Sequence, residues 1–346
     1  MKRSFMFICA AALLLTGCGA SADEASAQLF AMDTVMQLDA YGHQVKQAVS
    51  DAEETIQALE ARLSRTREDS LVSVLNQNGA AQDLSAAEQA LLSEALTFRD
   101  ATGGAFDITI APVMDAWGFT GDSYRVPAQD ELDALLENVN SDEIRLSGSS
   151  VTLGAGQAID LGGIAKGYTS DCVEVVFREN KIESGKISLG GNVFVLGGKP
   201  DGADWRVGIR DPQDENALAA VLTLRDAYAI TSGGYERYFT ENGNTYHHII
   251  DPSTGYPADS GLLSVTVVAE ANGPDFSGPG NGTMCDAFST ALFVMGEERA
   301  LEFWQTGGYD FDLVLVTADG RVIITDGLSD RFEVVKDSGY TYETVS

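Results

Sequence analysis

The chain has 346 residues, 44% hydrophobic and 21% charged, an ordinary globular composition that excludes a disordered chain. Lys and Arg total 22 against 52 Asp and Glu, a formal net charge of -30. Such a surface repels nucleic acid and anionic headgroups, so nucleic-acid binding is excluded as the main function; any polyanionic ligand needs local backbone donors or a cation.

Met1, Lys2 and Arg3 form a basic start, and Phe5–Leu15 is an apolar run too short to span a bilayer. It ends in "LLTGC", which resembles a bacterial lipoprotein signal. In such signals the thiol, here Cys18, is acylated and becomes the new N-terminus. Residues 1–18 are thus read as the signal, 19–28 as a small, polar, flexible tether, and 29–346 as one catalytic domain.

"FAMDTVMQLDAYG" reads as a first strand, and Val49, Ile56, Leu59 and Leu63 mark a helix from about Gln47 to Leu63. A second helix, Ala86 to Thr102, stops at Gly103 and Gly104. "AFDITIAPVMDAWGF" reads as a strand or loop interrupted by Pro112. In "AIDLGGIAKGYTSDCV" a strand ending at Asp160 meets a glycine turn, and a helix begins near Ala165. Its first-turn amides suit an anion and Lys166 adds a point charge for phosphate. A tight strand-to-helix turn without ligand is the alternative, and neither a Walker A loop nor GxGxxG is present.

Strands follow at "KISLGGNVFVLGG", "WRVGIRDP", "AVLTLRDAYAIT" and "LLSVTVVA". "TSGGYERYFTENGNTYHHIIDPSTGYP" pairs a polar loop with His247 and His248, in a chain with three histidines in all. One of them is a candidate general base, with a structural hydrogen-bonding role as the alternative. "EANGPDFSGPGNGTM" reads as a loop before a helix running from about Asp286 to Thr306, and "FDLVLVTADGRVIIT" as a closing hairpin. Asp286 and Thr290 share a face of that helix. They are either a first-turn acid and a back-bonded hydroxyl, or two hard oxygens for a cation such as magnesium. Cys172 and Cys285 read as buried thiols, a disulfide being the alternative. The elements interleave without a βαβ rhythm, which makes the fold class α+β.

Taken together, "MDTVMQL", "LSRTREDSLVSVLN", "TGGAFDITIAPVMDAWGF", "IDLGGIAKGY", "GGNVFVLGG", "WRVGIRDP", "TSGGYERYF", "YHHIIDPSTGYP" and "CDAFSTALFVMG" carry a resemblance to the FAD:protein FMN transferases, the ApbE-like flavin-trafficking lipoproteins. The resemblance runs from about Phe30 to the last strands. It implies mixed and antiparallel sheets with packed helices around a tunnelling-fold-like core. It further implies FAD contacts at Met32, Thr66, Ala105, Phe106, Asp107, Asp160, Lys166 and Ile250, and Mg2+ ligands at the Gly163 carbonyl, Asp286 and Thr290. His248 then assists an acceptor threonine, and Asp286 belongs to the catalytic set.

The implied activity moves FMN from FAD to a threonine of an extracytoplasmic flavoprotein domain of a membrane redox complex, releasing AMP. The implied location is the outer face of the cell membrane, held by acylated Cys18. An FAD pyrophosphatase giving FMN and AMP, or a flavin-storage lipoprotein, are the alternatives. Two departures stand out: Asp33 where the family often has glycine, and Thr66 where an aromatic residue is common.

Overall fold

A computed structural model of the chain describes residues 23–121 and 123–346. The signal segment and Cys18 lie outside the described residues. A nine-stranded sheet organises the molecule, in the spatial order Glu24–Ala31, Thr34–Tyr41, Ser184–Leu189, Asn192–Leu196, Ala227–Gly233, Leu262–Glu270, Asp312–Thr317, Arg321–Thr325 and Thr341–Val345. Every neighbouring pair is antiparallel except the last, Arg321–Thr325 with Thr341–Val345. With the helices, this gives an α+β fold.

One face of the sheet packs the helices Val45–Leu63, Ala165–Glu179 and Asn281–Met295 over Met36, Leu38, Ile187, Phe194, Ile230 and Val265. The other face meets a three-stranded sheet through Val195, Ala229, Val314, Leu222 and Ile209. The strand Ala227–Gly233 explains its own apolar run: Tyr228 and Ile230 enter the first core, Ala227 and Ala229 the second. A strand covered on both faces loses the polar-apolar alternation of a half-exposed one.

Several expectations change. The tether predicted to reach Gln28 gives way at Glu24, where the first strand begins. "FAMDTVMQLDAYG" is two strands, because Met32 and Asp33 take φ of 50° and 58° and close a hairpin. Two successive left-handed residues are what a tight hairpin turn requires. This also explains the glycine-to-aspartate departure: the position needs the left-handed region, which glycine adopts freely and aspartate tolerates.

Pro112 does not interrupt a strand. It sits in the first turn of the helix Ala111–Trp117, where a missing N–H costs nothing. Ala158–Asp160 pairs in no sheet; Asn76 holds Ile159 by accepting from its N–H at 2.7 Å and donating to its carbonyl at 2.9 Å. The polar loop before the histidines is partly a hairpin, Tyr238–Glu241 with Asn244–His247. The helix predicted from Asp286 to Thr306 is two helices, Asn281–Met295 and Glu297–Thr306, parted at Gly296 with φ 79°. Cys172 and Cys285 are free thiols.

Candidate functional site

The cap of the helix Asn281–Met295 comes from elsewhere in the chain. Its preceding residue is Gly280, which has no side chain to offer. Asp171, on the helix Ala165–Glu179 and 0% exposed, takes that place. Its Oδ2 accepts from the amides of Gly280 (2.9 Å) and Thr283 (2.8 Å), and its Oδ1 from the amide of Gly282 (2.9 Å). The Thr283 hydroxyl and Asn272 Nδ2 donate to it as well. Burial pushes the Asp171 pKa up, and the bonds from Thr283, Asn272 and Gly280 act against that shift.

The exchange is mutual. Asp286 sits beyond the first turn of its own helix, 3% exposed, and its Oδ2 accepts from the Gly167 amide at 2.8 Å. Gly167 lies in the first turn of the helix Ala165–Glu179, whose preceding residue, Ile164, gives no side-chain cap. Each helix therefore receives an acid from the other at its positive end. The reading of Asp286 as an acid capping its own helix is thereby overturned. The anion sought at the start of the helix Ala165–Glu179 is, for one amide, the protein's own carboxylate.

Close approach makes this exchange sterically possible. A Cβ on Gly167 would stand 2.2 Å from the Gly282 carbonyl oxygen and 2.6 Å from Asp286 Cβ. Asn192, 1% exposed, donates from Nδ2 to Asp286 Oδ1 at 3.0 Å. The carboxylate is thus fixed by two donors, with lone pairs remaining on both oxygens.

Asp286 and Thr290 border a cavity of about 490 Å³. Every cavity residue expected from the sequence lines it: Met32, Thr66, Ala105, Phe106, Asp107, Asp160, Gly163, Lys166, His248 and Ile250 join those two. The volume suits an extended organic ligand. Thr290 Oγ1 lies 3.1 Å from Ser232 Oγ, which is 2.8 Å from Ser289 Oγ. The Gly163 backbone passes so near that a Cβ there would be 3.3 Å from Thr290 Oγ1 and 3.3 Å from the Phe106 ring.

The Asp286 carboxylate and the hydroxyls of Thr290 and Ser232 border the cavity beside the Gly163 backbone, and together they would offer a cation only oxygen donors. Such a set fits Mg2+, which takes one or two carboxylates and completes its shell with phosphate and water. Among the described residues, no group of three or more His, Cys, Asp or Glu comes together to hold a metal ion.

The side chains of two of these lining residues are held by the protein itself. The Asp107 carboxylate turns into the protein, accepting from Thr109 N (2.8 Å), Thr109 Oγ1 (2.6 Å), Ser141 N (3.2 Å) and the Ser141 hydroxyl. Asp160 accepts from the Gly162 amide at 2.6 Å and from Arg65 at 2.9 Å. Arg65 also binds Thr120 Oγ1 (2.9 Å) and Asp115 (2.8 Å). Sequence reading missed Arg65, Asn192, Ser232, Arg237 and Asp171. Arg65 and Ser232 lie within quoted motifs, "LSRTRE" and "TSGGYERYF", yet their partners are distant in sequence.

His248 Nδ1 is 3.1 Å from the Arg237 carbonyl. A carbonyl only accepts, so Nδ1 carries the proton and Nε2 the lone pair. Burial, then Lys166 and Arg237, push the imidazole pKa down to about 3. His247 packs edge-on against Phe293 and contacts the Ala258 carbonyl at 3.2 Å, away from the cavity-lining set. Thr66 is exposed at the cavity wall, its hydroxyl 3.0 Å from Ser64 Oγ. Met32 is anchored through its amide to Glu60 Oε1 at 2.7 Å, and Asp33 reaches Arg237 at 3.6 Å.

Comparison with known proteins agrees with this architecture. The protein of Treponema pallidum named FAD:protein FMN transferase is 33% identical over 312 residues, covering 84% of this chain and 83% of its own length. The Klebsiella pneumoniae protein of the same name is 35% identical over 242 residues, 68% of this chain and 70% of its own. The crystal structure of the ApbE protein from Thermotoga maritima superposes with a TM-score of 0.78 at 29% identity, over 91% of this chain and 97% of that one. The sequence profile of the ApbE family matches residues 32–312, and the chain belongs to that family.

Proposed function

We propose that this protein is an Mg2+-dependent FAD:protein FMN transferase that attaches FMN through a phosphoester to a threonine of an acceptor protein and releases AMP. One observation carries the reading: the oxygens of Asp286, Thr290 and Ser232 and the Gly163 backbone converge on the cavity that also holds Lys166 and His248. Asp286, Thr290 and the Gly163 backbone would hold Mg2+, which would supply charge neutralisation at the pyrophosphate and polarisation of the phosphoryl group.

The chain's own residues do the rest. Lys166 places positive charge at the phosphates; among the described residues it makes no ion pair with a carboxylate. Phe106, Ile110, Met114, Phe119 and Ile250 give the cavity apolar wall for a flat ring. The His248 proton sits on Nδ1, facing the Arg237 carbonyl, so Nε2 is the atom that takes the threonine proton as the Oγ–P bond forms and the P–O bond to AMP breaks.

The acceptor is an extracytoplasmic flavoprotein domain of a membrane redox complex, and the enzyme is held at the outer membrane face by acylated Cys18. The "LLTGC" motif supports the anchor. Among the described residues no helix is long and apolar enough to cross a membrane. Incubation with FAD, Mg2+ and a threonine-bearing acceptor, followed by weighing the acceptor, tests the reaction. A mass gain of one FMN is expected. Free FMN and AMP with an unmodified acceptor would make the protein a pyrophosphatase instead, and intact FAD a storage protein.

A further inference from the structure

The sheet edge at the cavity mouth is the strand Glu24–Ala31. It pairs with Thr34–Tyr41 alone, and its other side meets no strand among the described residues. Proteins usually blunt such an edge with lysine, proline, a bulge or short length. This one, "EASAQLFA", has none of these. It runs eight residues in unbroken register from Glu24↔Tyr41 to Ala31↔Thr34, with its only charge at the end far from the turn.

Ala25, Ala27 and Leu29 pack against the core, while Glu24, Ser26, Gln28 and Phe30 face outward. At the turn end Phe30 and its cross-strand partner Val35 are 71% and 53% exposed. The turn between them supplies Met32, Asp33 and Thr34 to the cavity wall. An open backbone edge and an exposed apolar pair therefore lead directly into the site.

We propose that the acceptor docks here as an added β-strand, an extended threonine-bearing segment paired along Glu24–Ala31. An apolar side chain of the segment covers Phe30 and Val35, and the chain continues past the Met32–Asp33 turn into the cavity. The proposal rests on the transferase reading and names the partner surface of that same site. The threonine side chain supplies the occupant argument. Its hydroxyl is one carbon from the main chain, so the acceptor backbone itself has to reach the cavity mouth. Strand addition delivers an extended backbone there and draws affinity from main-chain hydrogen bonds. The charge of -30 further favours a segment with neutral or basic flanks.

The test uses the full-length protein in detergent and a synthetic extended peptide carrying one threonine at its centre. For the wild type, FMN mass on the peptide shows that transfer itself operates; its absence removes the transferase reading and this docking mode together. With transfer established, the double variant Phe30→Ser/Val35→Ser is expected to raise KM for the peptide roughly tenfold or more. FAD affinity and the peptide-independent release of FMN and AMP stay unchanged, because neither side chain lines the cavity.

Backbone amides of residues 24–31 are expected to exchange hydrogen more slowly once the peptide and FAD are bound. An unchanged KM overturns the docking site while leaving the transferase intact. So does protection, before peptide is added, of those amides of residues 24–31 that point away from the strand Thr34–Tyr41. Protection that grows with protein concentration would assign the edge to a second copy, and protection independent of concentration to the chain's own residues that precede Asp23 in the mature protein.

Discussion

Asp286 Oδ2 lies 2.8 Å from the Gly167 amide, so this carboxylate completes the first turn of a helix that is not its own. Asp171 returns the favour at the start of the Asp286 helix. The two helices lock in register through these acids and through the Gly167–Gly282 contact. That register decides where Asp286 and Thr290 stand relative to Gly163.

Asp286→Asn is therefore not a mild capping change. If Oδ1 of the asparagine keeps the Gly167 bond, its Nδ2 faces the donating Nδ2 of Asn192. One buried donor loses its partner, and stability should fall by about 1–3 kcal/mol. Mg2+ affinity and FMN transfer should collapse together with the charge. Thermal melting and magnesium titration check this; an unchanged Tm with near-normal transfer at low magnesium would contradict it.

Thr290→Val keeps the shape and removes an oxygen. Ser232 retains Ser289 as a hydrogen-bond partner at 2.8 Å, so the stability loss should stay near 0.5–1.5 kcal/mol. The magnesium concentration for half-maximal transfer should rise. Unaltered magnesium dependence would remove Thr290 from the metal set.

Asp171→Ala strips acceptors from the amides of Gly280, Gly282 and Thr283 at once. An exposed cap is worth about 1 kcal/mol. These donors are wholly or partly buried, so the loss should reach about 3 kcal/mol or more. Denaturant unfolding measures it, and amide exchange at residues 280–283 should accelerate first. A loss within about 0.5 kcal/mol, the range of an ordinary surface change, would show that the helix start finds other acceptors.

His248 should remain neutral from pH 8 down to pH 5 in the FAD-free protein, followed by imidazole NMR. Its folded pKa, about 3, lies below the ordinary value of 6.5. As pH falls through 6.5 the unfolded chain takes up a proton that the folded chain refuses. Stability from this group is full above that pH and is lost progressively toward pH 3. His248→Gln should flatten that part of the acid-stability curve. Because burial is the largest cause and Lys166 the second, Lys166→Met should raise the pKa without restoring 6.5. A wild-type titration near 6.5 would refute the assignment.

The residues alone determined much of this. Helical spacing placed Asp286 and Thr290 on one face, glycines next to Ala165 announced a helix start, and ordered motifs pointed to the family. These are local signals, carried by neighbours within a turn or a strand. Secondary-structure boundaries near the site were less legible: Met32 and Asp33 carry no glycine to mark a tight turn, and Pro112 is read as a breaker unless its helix start is known. Which donor holds which acid was not legible at all. Gly167 and Asp286 are 119 residues apart, and Arg65 and Asp160 are 95 apart. Only the packing of one helix against another, through a contact that admits no Cβ, brings an amide to that carboxylate and still leaves lone pairs on both of its oxygens.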